Sequence, residues 1–264
     1  MANGAAGDVI TEEGIAFATV DGTELKLDIH CPPADLANGA CVVELFGGGF
    51  TRGHRGGHYE GVFKRFAPLG YVCVAPDYRH APATKWPGQL EDVQAAVRWI
   101  RDNASRLGID PAKIVLAGYS AGGLLALDAC GDPGLGAAAC IAYYPATAAR
   151  EVGGSDHPLL PSGSTDDAYA ALQPLNNLRN GFPPTFLICG TSDRFRAPTQ
   201  ALYERLIELD VSVELHLLAG LDHIFDRYPE FAGPATDWCH QFMDRYVVNP
   251  REYPAYQRPT PVTA

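Results

Sequence analysis

The spacing of apolar and polar residues changes period along this chain. Residues 14–20 and 23–30 alternate apolar and polar positions, with Asp21-Gly22 between them. A period of two sets one face of a strand on a core, and Asp-Gly between two such runs marks a tight hairpin. Residues 40–46, 71–75, 114–117, 137–144, 184–189 and 213–218 read as six further strands. Most of these are apolar nearly throughout, as strands covered on both faces are. Residues 89–103 switch to a helical period. Leu90, Val93, Val97 and Ile100 share one face, while Glu91, Asp92, Gln94, Arg98, Arg101 and Asp102 fill the rest. Residues 58–69, 121–130, 198–209 and about 234–247 also read as helices. Pro198 opens the third, and Ala235, Trp238 and Phe242 recur at helical spacing in the fourth.

An opening hairpin followed by alternating strands and helices predicts an α/β protein. The expected core is an about eight-stranded, mostly parallel sheet with helices on both faces. One such domain over residues 1–264 is expected. Residues 146–183 are rich in Gly, Pro, Ser and Asp and read as a lid or a wall of a binding site. Residues 249–264 carry Pro250, Pro254, Pro259 and Pro261 and read as an extended tail.

Composition narrows the function classes. A chain of 264 residues that is 47% hydrophobic can bury a full core. No apolar run approaches the roughly 20 residues that span a bilayer. Residues 1–8 hold neither a basic stretch nor an apolar one, so no signal peptide is read there and a cytoplasmic location is expected. The seven cysteines are odd in number and none stands in a CxxC spacing. They read as small buried hydrophobes in a reducing compartment, and no metal or other cofactor is expected. The net charge of −11, without a long Lys/Arg run, argues against nucleic acid as a partner.

The chemistry concentrates at three strand ends. Gly118-Tyr119-Ser120-Ala121-Gly122 is a G-x-S-x-G that follows the strand at 114–117 and opens a helical stretch. Strand, sharp turn and helix in this order lift the serine hydroxyl above the sheet. A serine hydroxyl needs a base to become a nucleophile. Sheets of this kind carry nucleophile, carboxylate and histidine in that chain order. Asp193 follows the strand at 184–189 and His223 follows the strand at 213–218, so both sit at carboxyl ends, where ligands bind. Asp222, Asp226, His216 and His157 fit less well by order or position. The run Phe46-Gly47-Gly48-Gly49-Phe50 follows the third strand, and its backbone N–H groups can turn toward a developing oxyanion.

These features resemble the α/β-hydrolase superfamily, and within it the hormone-sensitive-lipase-like bacterial esterases and their cap-poor relatives. Besides the serine motif, the resemblance rests on Ala75-Pro-Asp-Tyr-Arg-His-Ala-Pro82, Trp86-Pro-Gly-Gln-Leu-Glu-Asp92 and Asp110-Pro-Ala-Lys-Ile-Val-Leu-Ala-Gly118. It implies an oxyanion hole formed by the backbone N–H groups of Gly47, Gly48 and Ala121. It departs at two positions: Phe46 replaces the family's usual histidine and His80 replaces its leucine. Phe46 cannot make that histidine's hydrogen bonds, so packing or another polar group must hold the loop. Glu44, two residues earlier, is expected either to pair with Arg79 or His80 or to reach solvent. Phe50, Arg52, His54 and Tyr119 are candidate substrate contacts, and Arg52, His54, Arg55 and His58 together read as a solvated loop or, alternatively, as recognition of an acidic group.

The expected activity is hydrolysis of small to medium carboxylic esters through an acyl-enzyme, with Ser120 as nucleophile, His223 as general base and acid, and Asp193 orienting the histidine. An arylformamidase-like hydrolysis of amides or formamides is the alternative, and a non-catalytic receptor on the same fold is the reading from a different class. The expected partner is a small-molecule ester, without a membrane span. The sequence is compatible with a homodimer whose second subunit covers the site.

Overall fold

Eight strands form one sheet in the order β1-β2-β4-β3-β5-β6-β7-β8. The computed structural model describes residues 8–57, 65–147 and 157–253. The strands are β1 (Ile10–Val20), β2 (Thr23–Cys31), β3 (Cys41–Leu45), β4 (Val72–Pro76), β5 (Ile114–Tyr119), β6 (Ala139–Tyr143), β7 (Thr185–Gly190) and β8 (Val213–Leu218). β1 and β2 form the antiparallel hairpin turned by Asp21-Gly22, and β2 lies antiparallel to β4. All remaining pairings are parallel. The carboxyl ends of β3 to β8 therefore share one edge of the sheet, where ligands bind in open α/β folds.

The middle strands are buried on both faces because helices cover both. Cys41, Val43, Leu45, Ile114 and Leu116 belong to one apolar cluster, while Val42, Val115, Ala117 and Tyr119 belong to the other. The helices are α1 (Gly88–Asp102), α2 (Ala104–Leu107), α3 (Ala121–Cys130), α4 (Asp166–Ala170), α5 (Arg196–Glu208) and α6 (Pro229–Met243). Every residue of α3 is buried, so its sequence is apolar nearly all round rather than striped. Among the described residues, no helix is long and apolar enough to cross a membrane.

Three expectations change. Of the helix read at 58–69, residues 58–64 lie outside the described residues, and Ala67–Leu69 is a single 3-10 turn. The last helix starts at Pro229, five residues before the position read from the sequence, with Pro229 in its first turn and Pro234 inside it. Asp92, expected on the solvent face of α1, is 1% exposed. It is held by Arg79, whose Nη2 lies 2.9 Å from Oδ1 and whose backbone N–H donates to Oδ2 at 2.9 Å. A carboxylate is buried here because a guanidinium meets it.

Candidate active site

Ser120 follows β5 directly and caps α3, with φ 51° and ψ −113°. Such a conformation costs a residue with a Cβ about 1–3 kcal/mol. Its backbone is fixed from several sides. Ser120 N–H donates to the Tyr143 carbonyl at 2.9 Å, and its own carbonyl accepts from Leu124 N–H at 3.1 Å and Ala146 N–H at 2.9 Å. The two flanking glycines have a steric cause. A Cβ on Gly118 would stand 2.2 Å from the Gly122 carbonyl oxygen, and a Cβ on Gly122 would stand 2.0 Å from that of Leu45. The motif thus records how closely β3, β5 and α3 approach.

Asp193 lies in the turn after β7, where its N–H donates to the Gly190 carbonyl at 3.2 Å. Its side chain is fully buried and both oxygens are engaged. Oδ1 accepts from the Phe195 N–H at 2.9 Å, and Oδ2 lies 2.7 Å from His223 Nδ1. A carboxylate only accepts, so His223 donates through Nδ1–H, and this leaves Nε2 as the acceptor. Nε2 lies 3.0 Å from Ser120 Oγ. The structure therefore brings Ser120, His223 and Asp193 into one hydrogen-bonded chain, across β5, β7 and β8. The imidazole is packed by Tyr144, nearly edge-on at 4.5 Å between centroids, and by Phe195 at 5.3 Å.

The other acidic and imidazole groups are occupied elsewhere. Asp222 Oδ1 accepts from the His223 backbone N–H at 2.7 Å, which braces the turn. Asp226 Oδ1 accepts from the Tyr144 hydroxyl at 2.5 Å. His216 is stacked between Phe186 and Trp238. His157 is buried, and burial with nearby Lys85 lowers its imidazole to about 4.

The glycine-rich loop after β3 is shaped by positive φ. Gly48 has φ +132°, and a Cβ there would stand 2.0 Å from the Arg52 carbonyl oxygen. Phe46 is held in two ways. Its ring stacks on Tyr78 at 4.1 Å with an 11° interplanar angle, and its carbonyl accepts from the Tyr78 hydroxyl at 2.8 Å. Both ways of holding the loop, packing and another polar group, come from this one tyrosine. The expected pairing of Glu44 with Arg79 or His80 is replaced by other arrangements. Arg79 is committed to Asp92 and to Asp21. His80 packs edge-on against Phe46 and Tyr78, and its Nε2 has no hydrogen-bond partner among the described residues. Glu44 is half-buried, and after burial itself its charge helps to raise the Cys73 thiol and the Tyr119 phenol.

The candidate substrate contacts separate. Phe50 and Tyr119 are buried, Phe50 at φ 65° with its carbonyl accepting from Ala81 N–H, Tyr119 among Tyr143 and Tyr144. Neither offers the open surface expected of a substrate contact. Arg52 and His54 are exposed. His54 lines a cleft of about 400 Å³ with Phe46, Tyr78 and His80. Arg55 is bound to Asp28 at 2.9 Å and Asp77 at 2.6 Å, so it ties the loop to the sheet instead of facing a ligand. His58 lies outside the described residues.

This arrangement has counterparts in known proteins. A family model described as alpha/beta hydrolase fold matches residues 42–227. The chain belongs to the α/β-hydrolase family. This hydrolase chain is 30% identical over 205 residues to the probable carboxylic ester hydrolase LipM of Mycobacterium tuberculosis, a match over 68% of this chain and 48% of LipM. It thus spans about half the length of that relative. It is also 30% identical over 221 residues to carboxylesterase NlhH of the same species, over 73% of this chain and 68% of NlhH. Among solved structures, esterase Est2 of Thermogutta terrifontis is 26% identical with a TM-score of 0.74, over 94% of this chain and 95% of that one. The same esterase is solved phosphorylated by paraoxon.

The segment read as a lid or wall is well packed in the hydrolase. In its described part, Leu159, Leu172 and Leu178 are buried in the cluster that includes α3. Lys85 Nζ donates to the carbonyls of Pro158 and Leu160, and Asn177 Nδ2 donates to Asp128 on α3 at 2.7 Å.

Proposed function

We propose that the protein is a serine carboxylesterase that cleaves small to medium carboxylic esters through an acyl-enzyme. The observation that carries this reading is the chain Ser120 Oγ, His223 Nε2, His223 Nδ1, Asp193 Oδ2, with separations of 3.0 and 2.7 Å. His223 Nε2 takes the hydroxyl proton as Ser120 Oγ attacks the ester carbonyl carbon. Asp193 orients the imidazole and stabilises its cation. The N–H groups of Gly47, Gly48 and Ala121 stabilise the oxyanion of the tetrahedral intermediate. Its collapse breaks the bond to the alcohol oxygen, which takes the proton from His223. Water, deprotonated by His223, then attacks the acyl carbon; the bond to Ser120 Oγ breaks, His223 returns the proton to Oγ, and the acid leaves.

Carboxylic esters as the substrate class are supported by the names of the relatives, which are esterases. We further read the protein as cytoplasmic, on its seven free cysteines. A hydrolysis screen tests the proposal: p-nitrophenyl esters of graded acyl length, alkyl esters, lactones and N-formylkynurenine, each with the Ser120→Ala variant alongside. Ser120-dependent turnover of short esters is expected. Preferred turnover of N-formylkynurenine would replace the ester reading with the amide one. A folded protein that turns over none of them would replace it with the receptor.

A further inference from the structure

A second carboxylate stands close to His223. Asp226 lies in the turn Phe225–Arg227 and is 2% exposed. Its Oδ1 accepts from the Tyr144 hydroxyl at 2.5 Å, while its Oδ2 has no hydrogen-bond partner among the described residues. A carboxylate so placed is costly to the fold. Tyr144 is fully buried and holds an unusual backbone, with φ +36°. Its N–H donates to the Ile188 carbonyl at 2.7 Å, which ties it to β7. Its ring lies 4.5 Å from the imidazole of His223. One phenol therefore touches both the histidine and the carboxylate. Ile224, between His223 and Asp226, also has positive φ at +63°. For a β-branched residue this is an outlier. Strain held at Ser120, Tyr144 and Ile224 together is the kind that accumulates at working sites.

The groups that feel Asp226 are Tyr119, Tyr143, Tyr144 and His223. Burial pushes the Tyr119 and Tyr143 phenols far up, so they stay neutral. Within this set, His223 is the group that becomes a cation during acyl transfer.

We propose that Asp226, gripped by the Tyr144 hydroxyl, is a positioning residue that stabilises the His223 imidazolium alongside Asp193, while the Tyr144 ring fixes the imidazole plane. This rests on the serine-hydrolase reading of the site. The hydroxyl has a definite task. Burial raises the Asp226 carboxyl, and the Tyr144 hydrogen bond opposes that shift and so favours the ionised form. Asp226→Asn removes the charge directly, and Tyr144→Phe removes the bond that sustains it.

The test is the pH profile of kcat/KM for p-nitrophenyl butyrate in the wild type, the two single variants and the double variant. Without the counter-charge the imidazolium loses its proton more readily. The acid limb is expected to move to lower pH by about half a unit in each single variant. The double variant should move no further than either alone, and KM should hold while kcat falls. A merely structural pair would lower stability and kcat and leave the acid limb in place, and that result overturns the proposal. The ring titration of His223, followed by NMR in the Ser120→Ala background, reads the same coupling without catalysis. A shift to lower pH with Asp226→Asn supports the proposal even if the wild type hydrolyses no ester, a failure that would count against the hydrolase reading instead. An unchanged titration in both single variants overturns it.

Discussion

The Tyr78 hydroxyl donates a 2.8 Å hydrogen bond to the carbonyl of Phe46, the residue before the glycine run that forms the proposed oxyanion hole. Oxyanion donors work because they are aimed before the reaction starts. Tyr78→Phe keeps the ring stacked on Phe46 and removes only this bond. The expected result is an intact fold with kcat about tenfold lower and KM little changed, since a mis-aimed donor weakens the transition state more than the bound substrate. Steady-state kinetics on a p-nitrophenyl ester, with a thermal melt as control, measures it.

The contact between Gly122 and the β3 backbone carries a second prediction. A Cβ at position 122 would stand 2.0 Å from the Leu45 carbonyl oxygen, and backbone cannot yield as a side chain does. Gly122→Ala should destabilise the protein by about 3 kcal/mol or more. The measurement is urea-induced unfolding. A midpoint like the wild type's would mean that α3 can move away from β3 freely.

Asp128 gives a pH dependence of stability. It is buried on α3, and burial raises its carboxyl to about 7, against the opposing effect of the Asn177 hydrogen bond. The unfolded chain ionises this group near 4 while the folded protein keeps it protonated up to about 7, so the unfolded state is favoured as pH rises between the two. Its contribution is full below pH 4 and lost by about pH 7. Asp128→Asn should flatten that slope and raise stability at pH 8 by about 1 kcal/mol or more relative to the wild type. Urea midpoints at pH 5 and pH 8 decide the matter.

The parts of this molecule that follow local rules could be read from residue order. The Asp21-Gly22 hairpin and strand–Gly-x-Ser-x-Gly–helix segment are such parts, because steric limits on a few adjacent residues set them. Ser120, Asp193 and His223 could be named because each follows an apolar strand within a few residues. What depends on distant partners could not be read. Asp92 looks solvent-facing by period, yet Arg79, 13 residues away, takes it into the interior. Phe46 looked like a missing polar brace, and the brace comes from Tyr78, 32 residues on. Asp226 stands out in the sequence only as a rival to Asp193, and its pairing with Tyr144 could not be read, since 82 residues separate the two and a tyrosine at a strand end is unremarkable. Pro234 reads as a helix start, although Pro229 takes that place and Pro234 lies one turn inside.

The most direct test is the intact mass of the wild type and of Ser120→Ala after incubation with paraoxon, followed by peptide mapping. A nucleophile raised by His223 and Asp193 should carry a single diethylphosphoryl group, mapped to Ser120, and the variant should carry none. A folded wild type that stays unmodified, or a variant labelled to the same extent, would contradict the account.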